Sequence, residues 1–325
     1  MSKIAIIGAG LSGTTLARRL SERANVQVFE KSRGIGGRMA TRYAGIYEFD
    51  HGAQYFTART DAFKEVLQPL IKEGVVSEWK DKIVSIVPGQ TPTPFTRDDP
   101  IYVAAPRMNA LPKALANGAE MTVRCQIEGL SRSDSGSWTL KDNEGGEYGP
   151  FDWVVSTAPS IQTAALFPED VSFAEQLSAV RMPGCFSVLL GLDQDPGIEW
   201  AGAKVTDSPI GWIAVNSAKP GRQSSTSIVV QTTNDWAEDN LERDQGEVRD
   251  LICRELNSLI GLDASGTAHQ SLHRWRYAHT SVPAGAPFLI DEAQGLAACG
   301  DWCLGGRVES AFTSATELAD ALSDS

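Results

Sequence analysis

The sequence contains no apolar run approaching the roughly 18 residues that a membrane-spanning helix requires, which argues against a transmembrane segment. Its start, Lys3-Ile4-Ala5-Ile6-Ile7, is apolar but too short for a signal-peptide core, and it leads straight into glycines as a buried strand does. Positive charge is scarce: 29 Lys and Arg stand against 41 Asp and Glu, a net charge of −12. Nucleic-acid surfaces need clustered positive charge, so that class is disfavoured, although one pocket can be locally basic on an acidic protein. Cysteine is sparse as well. Cys125, Cys185, Cys253, Cys299 and Cys303 are odd in number with no C-x-x-C pair, which fits reduced thiols in a cytoplasmic setting. Of the four histidines, His269 and His273 have a spacing that suits a metal on a helix, yet Ser271–Tyr277 reads as a strand, so no metal site is expected. No Ser/His/Asp arrangement, paired-carboxylate signal, internal repeat or low-complexity tract is found.

What is present is an ordinary globular composition, 42% hydrophobic and 22% charged, in 325 residues, enough for two domains. The first thirty residues read as β-α-β. Ile4–Ile7 is a continuous apolar run, as in a parallel strand buried on both faces, Leu11–Arg23 has helical spacing, and Val26–Phe29 is a second strand. Helices are expected at Ala62–Lys72, Met108–Ala116, Asp235–Ile260 and Arg307–Leu322. Met121–Arg132, Trp138–Lys141 and Glu147–Tyr148 suggest a small meander, and Trp153–Ser156 and Leu296–Cys299 suggest buried strands. Ser187–Leu192, Gly211–Val215 and Ser227–Val230 make the region from Phe186 to Val230 β-rich, and the Pro-rich stretch Pro88–Pro100 reads as a loop.

Gly8-Ala9-Gly10-Leu11-Ser12-Gly13 is a G-x-G-x-x-G motif directly after a strand and opening a helix. In such a motif the first glycine makes a tight turn, the second lets a pyrophosphate approach the backbone, and the third lets helix and strand pack closely. The helix N-terminus offers its unpaired N–H groups to phosphates. Glu30 ends the second strand 22 residues after Gly8, where a carboxylate would accept both hydroxyls of an adenosine ribose. These features alone do not separate FAD from NAD.

The next segment does. Lys31-Ser32-Arg33-Gly34-Ile35-Gly36-Gly37-Arg38-Met39-Ala40-Thr41 resembles the second glycine motif of the FAD family that includes monoamine oxidase, protoporphyrinogen oxidase and phytoene desaturase. The resemblance implies that Gly36, Gly37 and Arg38 lie along the FAD pyrophosphate. Asp50-His51-Gly52-Ala53-Gln54-Tyr55-Phe56 is similar to the family's turn that passes close to the flavin, which adds Ala53 and Gln54 to the implied cofactor residues. Gly300-Asp301-Trp302 resembles the segment whose Asp binds the ribityl chain. The helix opening around Gly306-Arg307-Val308-Glu309 would aim its N-terminal amides at the flavin C2 carbonyl, favouring the anionic reduced flavin.

Within that family the chain looks closest to the renalase branch, on Gly52-Ala53-Gln54-Tyr55-Phe56-Thr57, His273-Arg274-Trp275-Arg276-Tyr277-Ala278 and its compact length. The resemblance implies an oxidase that takes hydride from misformed dihydronicotinamide isomers of NAD(P)H onto FAD. Dioxygen then accepts the electrons, giving hydrogen peroxide. Two departures from the amine-oxidase branch point the same way. Arg307 stands where that branch places an aromatic cage residue, and Phe186–Leu192 lacks its lysine near flavin N5. No cysteine lies between Cys253 and Cys299, so FAD is expected to be non-covalent.

A dihydropyridine is already an activated hydride donor, so no catalytic side chain is assigned and catalysis is by orientation. A dinucleotide substrate carries phosphates, which makes Arg276 the first candidate contact and Arg307 the second, with Arg181 and Arg222 behind them; each reads equally as a surface ion pair. Tyr277, His279 and Trp302 are candidate pocket walls, although core packing is the favoured role for each. The expected fold is α/β. A Rossmann-type FAD domain would span residues 1–60, 105–165 and 285–325, and a β-sheet-based α+β substrate domain, residues 61–104 and 166–284, would cover the flavin. The rival functions are an amine oxidase or related dehydrogenase, and a flavin redox sensor without turnover.

Overall fold

The strand Lys3–Ile7, buried at Ile4, Ala5 and Ile6, lies between two parallel neighbours, Asn25–Glu30 on one side and Trp153–Ser156 on the other. In the computed structural model, which describes residues 1–116 and 119–324, these strands form the centre of a six-stranded sheet. Its order is Leu289–Asp291, Leu296–Ala298, Trp153–Ser156, Lys3–Ile7, Asn25–Glu30, Glu120–Val123, all parallel except the first. Ile4, Ile6, Val26, Val28 and Val155 fill one core with Leu16, Leu20, Ala315 and Leu318 from the helices Leu11–Leu20 and Val308–Asp324. A hydrogen bond from Ser12 Oγ to the Ala311 carbonyl ties those two helices together. The Rossmann-type sheet expected from the sequence is present.

The chain divides into two compact units. The first comprises Met1–Gly37, Asn109–Met182 and Thr280–Ser325, and the second Arg38–Met108 and Pro183–His279. The second unit is built on a seven-stranded sheet in the order His269–Trp275, Cys185–Gly191, Ser227–Thr232, Ile210–Val215, Gly202–Val205, Ile83–Ile86, Thr93–Pro94. It is antiparallel except where Gly202–Val205 runs parallel to Ile83–Ile86. Phe186, Val188 and Leu190 alternate onto one face, where they meet Val248, Ile252 and Leu256 of the helix Gln245–Ile260.

At three places the boundaries differ from the sequence expectation for a visible reason. The helix beginning at Leu11 stops at Leu20 rather than Arg23, because the Leu20 carbonyl accepts from both Arg23 and Ala24 and closes a turn. The segment Asp235–Ile260 is two helices, Asn234–Asp239 and Gln245–Ile260. Asp244 accepts from the Gly246 and Glu247 amides and restarts the second one as its N-cap. The apolar pattern runs through the break because Trp236, Leu241 and Val248 all pack against the same core. Met121–Arg132 is likewise two strands: Glu120–Val123 joins the parallel sheet, Arg124 turns the chain at φ +58°, and Ile127–Arg132 opens the meander.

Candidate functional site

In the first unit the three motif glycines have three different surroundings. Gly8 sits at φ +108°, a region that L side chains avoid, and its amide donates to the Phe29 carbonyl. A methyl group on Gly13 would run into the Gly8 carbonyl, so the helix can approach the strand only with glycine there. Gly10 is the opposite case. A methyl there would meet nothing closer than the Gly37 Cα at 3.8 Å. The space beside Gly10 is open, and no side chain caps the helix that starts at Leu11.

The second glycine motif closes on this loop, since the Gly36 amide donates to the Ala9 carbonyl at 3.0 Å and Gly37 turns at φ +53°. Buried Glu30 accepts from the Ala9 amide through Oε2 at 2.8 Å and from the Ser32 amide through Oε1 at 2.7 Å. Each carboxylate oxygen retains a further lone pair for a hydroxyl. An uncapped helix end, open space at Gly10 and an oriented carboxylate fit the phosphates and ribose of a dinucleotide. Lys31 bonds to Gln162 at the surface. Asp301 is buried at the head of the short helix Asp301–Leu304, and its carbonyl accepts from the Gly305 and Gly306 amides. Arg307 is exposed and its carbonyl takes the first bond of the helix Val308–Asp324 from Ala311.

In the second unit the turn from Asp50 to Gln54 is clamped from several sides. The His51 carbonyl accepts from Ser187 Oγ, Trp275 Nε1 and Gln231 Nε2 at 2.8, 2.9 and 3.2 Å. The Gly52 carbonyl accepts from the amides of Gln231 and Gln54. A methyl on Gly52 would strike the Arg38 carbonyl, which also accepts from the Ala53 amide at 2.9 Å. Beneath the turn, buried Asp50 receives Arg222 through both Nε and Nη2, Thr41 Oγ1 and the Met108 amide. Lys219 donates to Gln54 Oε1 at 3.1 Å and lies 3.6 Å from Asp50. Burial pushes the Asp50 carboxyl up, but Lys219 and Arg222 outweigh it and hold it below the usual range. Burial pulls Lys219 down to about 8 despite Asp50.

The strand His269–Trp275 alternates its faces. His273 and Trp275 gather with His51 on one, with centroids 4.6 Å and 5.0 Å from that ring, while Arg274 on the other donates to the Leu241 carbonyl. Burial, then the Arg42 charge, hold His51 at about 4. Burial, then His51 and Arg42, do the same for His273. Nδ1 of His51 is buried with no partner among the described residues.

The substrate candidates separate. Arg276 forms a two-pronged ion pair with Glu242 at the surface. Arg222 is 2% exposed, and its Nη1 serves the Ala104 and Pro220 carbonyls. Arg181 donates to the Ser178 and Val180 carbonyls. Trp302 is wholly buried in the first unit with its indole N–H on the Ala158 carbonyl. Tyr277 is half-buried and His279 exposed. Among the described residues no three His, Cys, Asp or Glu side chains gather as a metal would require.

Sequence reasoning missed Lys219, His51 and an aromatic cluster of Tyr55, Phe95, Trp79 and Trp212 that carries Arg97. Phe95 and Arg97 lie in the Pro-rich loop, which has no periodicity to read. His51 and Tyr55 did stand inside a motif already singled out.

Residues 6–70 match the NAD(P)-binding Rossmann-like domain family, and residues 94–323 match the family described as flavin containing amine oxidoreductase. The chain is 25% identical to renalase from Mus musculus over 307 residues, 86% of each sequence. Among solved structures, a protein from Exiguobacterium sp. classed provisionally as a protoporphyrinogen oxidase superposes with a TM-score of 0.77 at 13% identity, covering 99% of this chain and 98% of its own. A redesigned putrescine oxidase superposes with a TM-score of 0.74 at 10% identity, covering 100% and 99%. At these identities the two structures speak to fold alone. No helix among the described residues is long and apolar enough to cross a membrane.

Proposed function

The chain belongs to the flavin-containing amine oxidoreductase family, and from that membership we propose a renalase-like oxidase that draws hydride from dihydronicotinamide isomers of NAD(P)H. The observation that carries the choice of substrate is the similarity to mouse renalase, spread over 86% of both sequences. Two guanidinium groups of the second unit support it. Arg42 lies beside His273 and Arg97 lies over Tyr55, and guanidinium groups favour an anionic dinucleotide over a protonated amine.

FAD, when bound, supplies a two-electron acceptor that takes hydride at N5 and passes electrons to dioxygen, giving hydrogen peroxide. The chain's own work is to bind and orient. Gly10, Leu11, Ser12 and Gly13 would present backbone N–H groups to the pyrophosphate, with Gly8, whose amide is held by Phe29, making the turn and Gly36, Gly37 and Arg38 as further neighbours. Glu30 would hold the adenosine ribose, and Asp301 the ribityl chain. Non-covalent attachment is supported by burial, which raises the Cys299 thiol well above its usual range and Cys303 to about 12 and so disfavours the thiolate at both. No residue need move a proton at the donor carbon, since a dihydropyridine gives hydride directly.

The test is anaerobic mixing of the flavin-loaded protein with amines and with each dihydronicotinamide isomer, followed by admission of air. Rapid bleaching by a dihydronicotinamide isomer and by no amine, with peroxide formed in air, is the expected result. Bleaching by an amine would make this an amine oxidase, and bleaching by nothing would leave a flavin-binding sensor.

A further inference from the structure

Arg97 is held in an unusual way for an exposed arginine. Its guanidinium carbon lies 4.7 Å from the centre of the Tyr55 ring and 5.5 Å from that of Phe95. Those rings rest on a solid base. Tyr55 lies 5.1 Å from Trp212 and Phe95 lies 6.5 Å from it, and Trp212 packs edge-on against Trp79. Trp79 and Trp212 are buried, at 2% and 7% exposure.

The backbone beneath Tyr55 is fixed on both sides. Gln54 is bound by Lys219 and by the Asp50 and Gly52 carbonyls, and Phe56 exchanges both backbone hydrogen bonds with Tyr102. Stacking over a ring spends the face of a guanidinium and leaves its N–H fork free in the plane. No carboxylate or carbonyl among the described residues hydrogen bonds to that fork. The neighbouring carboxylate of Asp99 is taken by Arg59 at 2.8 Å. By contrast, Arg276, Arg222, Arg181, Arg107 and Arg274 all donate to protein acceptors.

We infer that Arg97, stacked on Tyr55 and Phe95, binds a phosphate of the dinucleotide substrate. The inference rests on the dihydronicotinamide reading above. A planar fork matches two oxygens of one phosphate, and a ring beneath it lowers the entropy lost in forming the pair. FAD also carries a pyrophosphate, so the two sources of the same anion must be told apart by experiment.

Flavin-loaded wild type, Arg97→Ala and Arg97→Lys are titrated calorimetrically with NAD⁺ and with nicotinamide riboside, which has no phosphate, and their flavin content is measured. Wild type is expected to bind NAD⁺ more tightly than the riboside. Arg97→Ala should lose about tenfold or more on NAD⁺ with riboside affinity and flavin content unchanged, and Arg97→Lys should fall between. Equal weakening toward both ligands would make Arg97 a clamp on its loop, and loss of flavin would assign it to the cofactor; either overturns the inference. If wild type prefers NAD⁺ and Arg97→Ala keeps that preference, Arg97 is the wrong residue while the substrate reading stands. If wild type shows no preference, the dinucleotide reading fails with it.

Discussion

Lys219 and Asp50 face each other 3.6 Å apart with both side chains sealed from water, at 0% and 1% exposure. Arg222 completes the group from 2.6 Å at 2% exposure. Burying two cations on one carboxylate is costly, and what makes it tolerable is hydrogen bonding on every side. Thr41, the Met108 amide and Gln54 all take part, and Gln54 belongs to the clamped turn. The cluster therefore fixes the backbone from Asp50 to Gln54.

Arg222→Met should destabilise the protein by about 3–5 kcal/mol, since it strips Asp50 of its two-pronged partner and leaves the Ala104 and Pro220 carbonyls without a donor. Lys219→Met should cost less, about 1–3 kcal/mol, because Asp50 keeps Arg222. Urea unfolding midpoints measure both, and the reverse order would show that Lys219 is the main counter-charge. Lys219 has its own pH signature. Its folded value near 8 lies below 10.5, so between those values the unfolded chain holds a proton the folded chain has shed. Wild-type stability should gain from this group as pH rises through that window, and Lys219→Met should lack the gain.

Acid should act through the histidine pair. His51 and His273 titrate near 4 when folded and near 6.5 when unfolded, so below pH 6.5 protons bind the unfolded chain preferentially. Stability should fall as pH drops from 6.5 to 4 and lose nothing further through this pair below that. For buried His51 the full effect is on the order of 3 kcal/mol; half-buried His273 should contribute less. Comparing wild type with His51→Gln at pH 7 and pH 4.5 isolates the effect, and identical pH slopes would refute it.

The glycine loop predicts two unlike failures. Gly10→Val should fold, because the space beside Gly10 is open, yet should purify colourless where wild type should be yellow and release FAD on acidification. Gly13→Ala should instead unfold at markedly lower urea, since its methyl meets the Gly8 carbonyl. A stable, flavin-replete Gly10→Val would show that the phosphates lie elsewhere.

Arg276→Ala should leave the urea unfolding midpoint close to that of wild type, as expected of an exposed pair with Glu242. Its kcat/KM should stay within roughly threefold of wild type on both phosphate-bearing and phosphate-free dihydronicotinamides. A selective loss on the phosphate-bearing substrate would mean that the arginine leaves Glu242 when substrate arrives.

Much of the first unit was legible because its signals are local. A strand, a glycine turn, a helix and a terminal Glu30 follow one another in thirty residues, and each has one physical reason to be there. The Asp244 cap was equally readable, as an Asp three residues before Glu247 at a helix start, but the apolar pattern of Trp236, Leu241 and Val248 ran across it and masked the break. The arginines were not legible. Whether Arg276 meets Glu242, or Arg97 meets Tyr55, depends on partners 34 and 42 positions away that share no periodicity with them. A buried Lys219 gives no sequence sign at all, since its surroundings are assembled from segments around Asp50, Trp79 and Arg222.

The three-segment makeup of the first unit has a consequence for how the protein is born. Its central strand, Lys3–Ile7, leaves the ribosome about 150 residues before one neighbour, Trp153–Ser156, and about 290 residues before Leu296–Ala298. The second unit is complete once His279 has been made. At a synthesis rate of about 5–20 residues per second, the opening β-α-β stretch waits many seconds for its remaining strands. The unit that starts first must therefore finish last, and a nascent chain stopped between His279 and Leu296 would hold a whole second unit while the sheet of the first was still open.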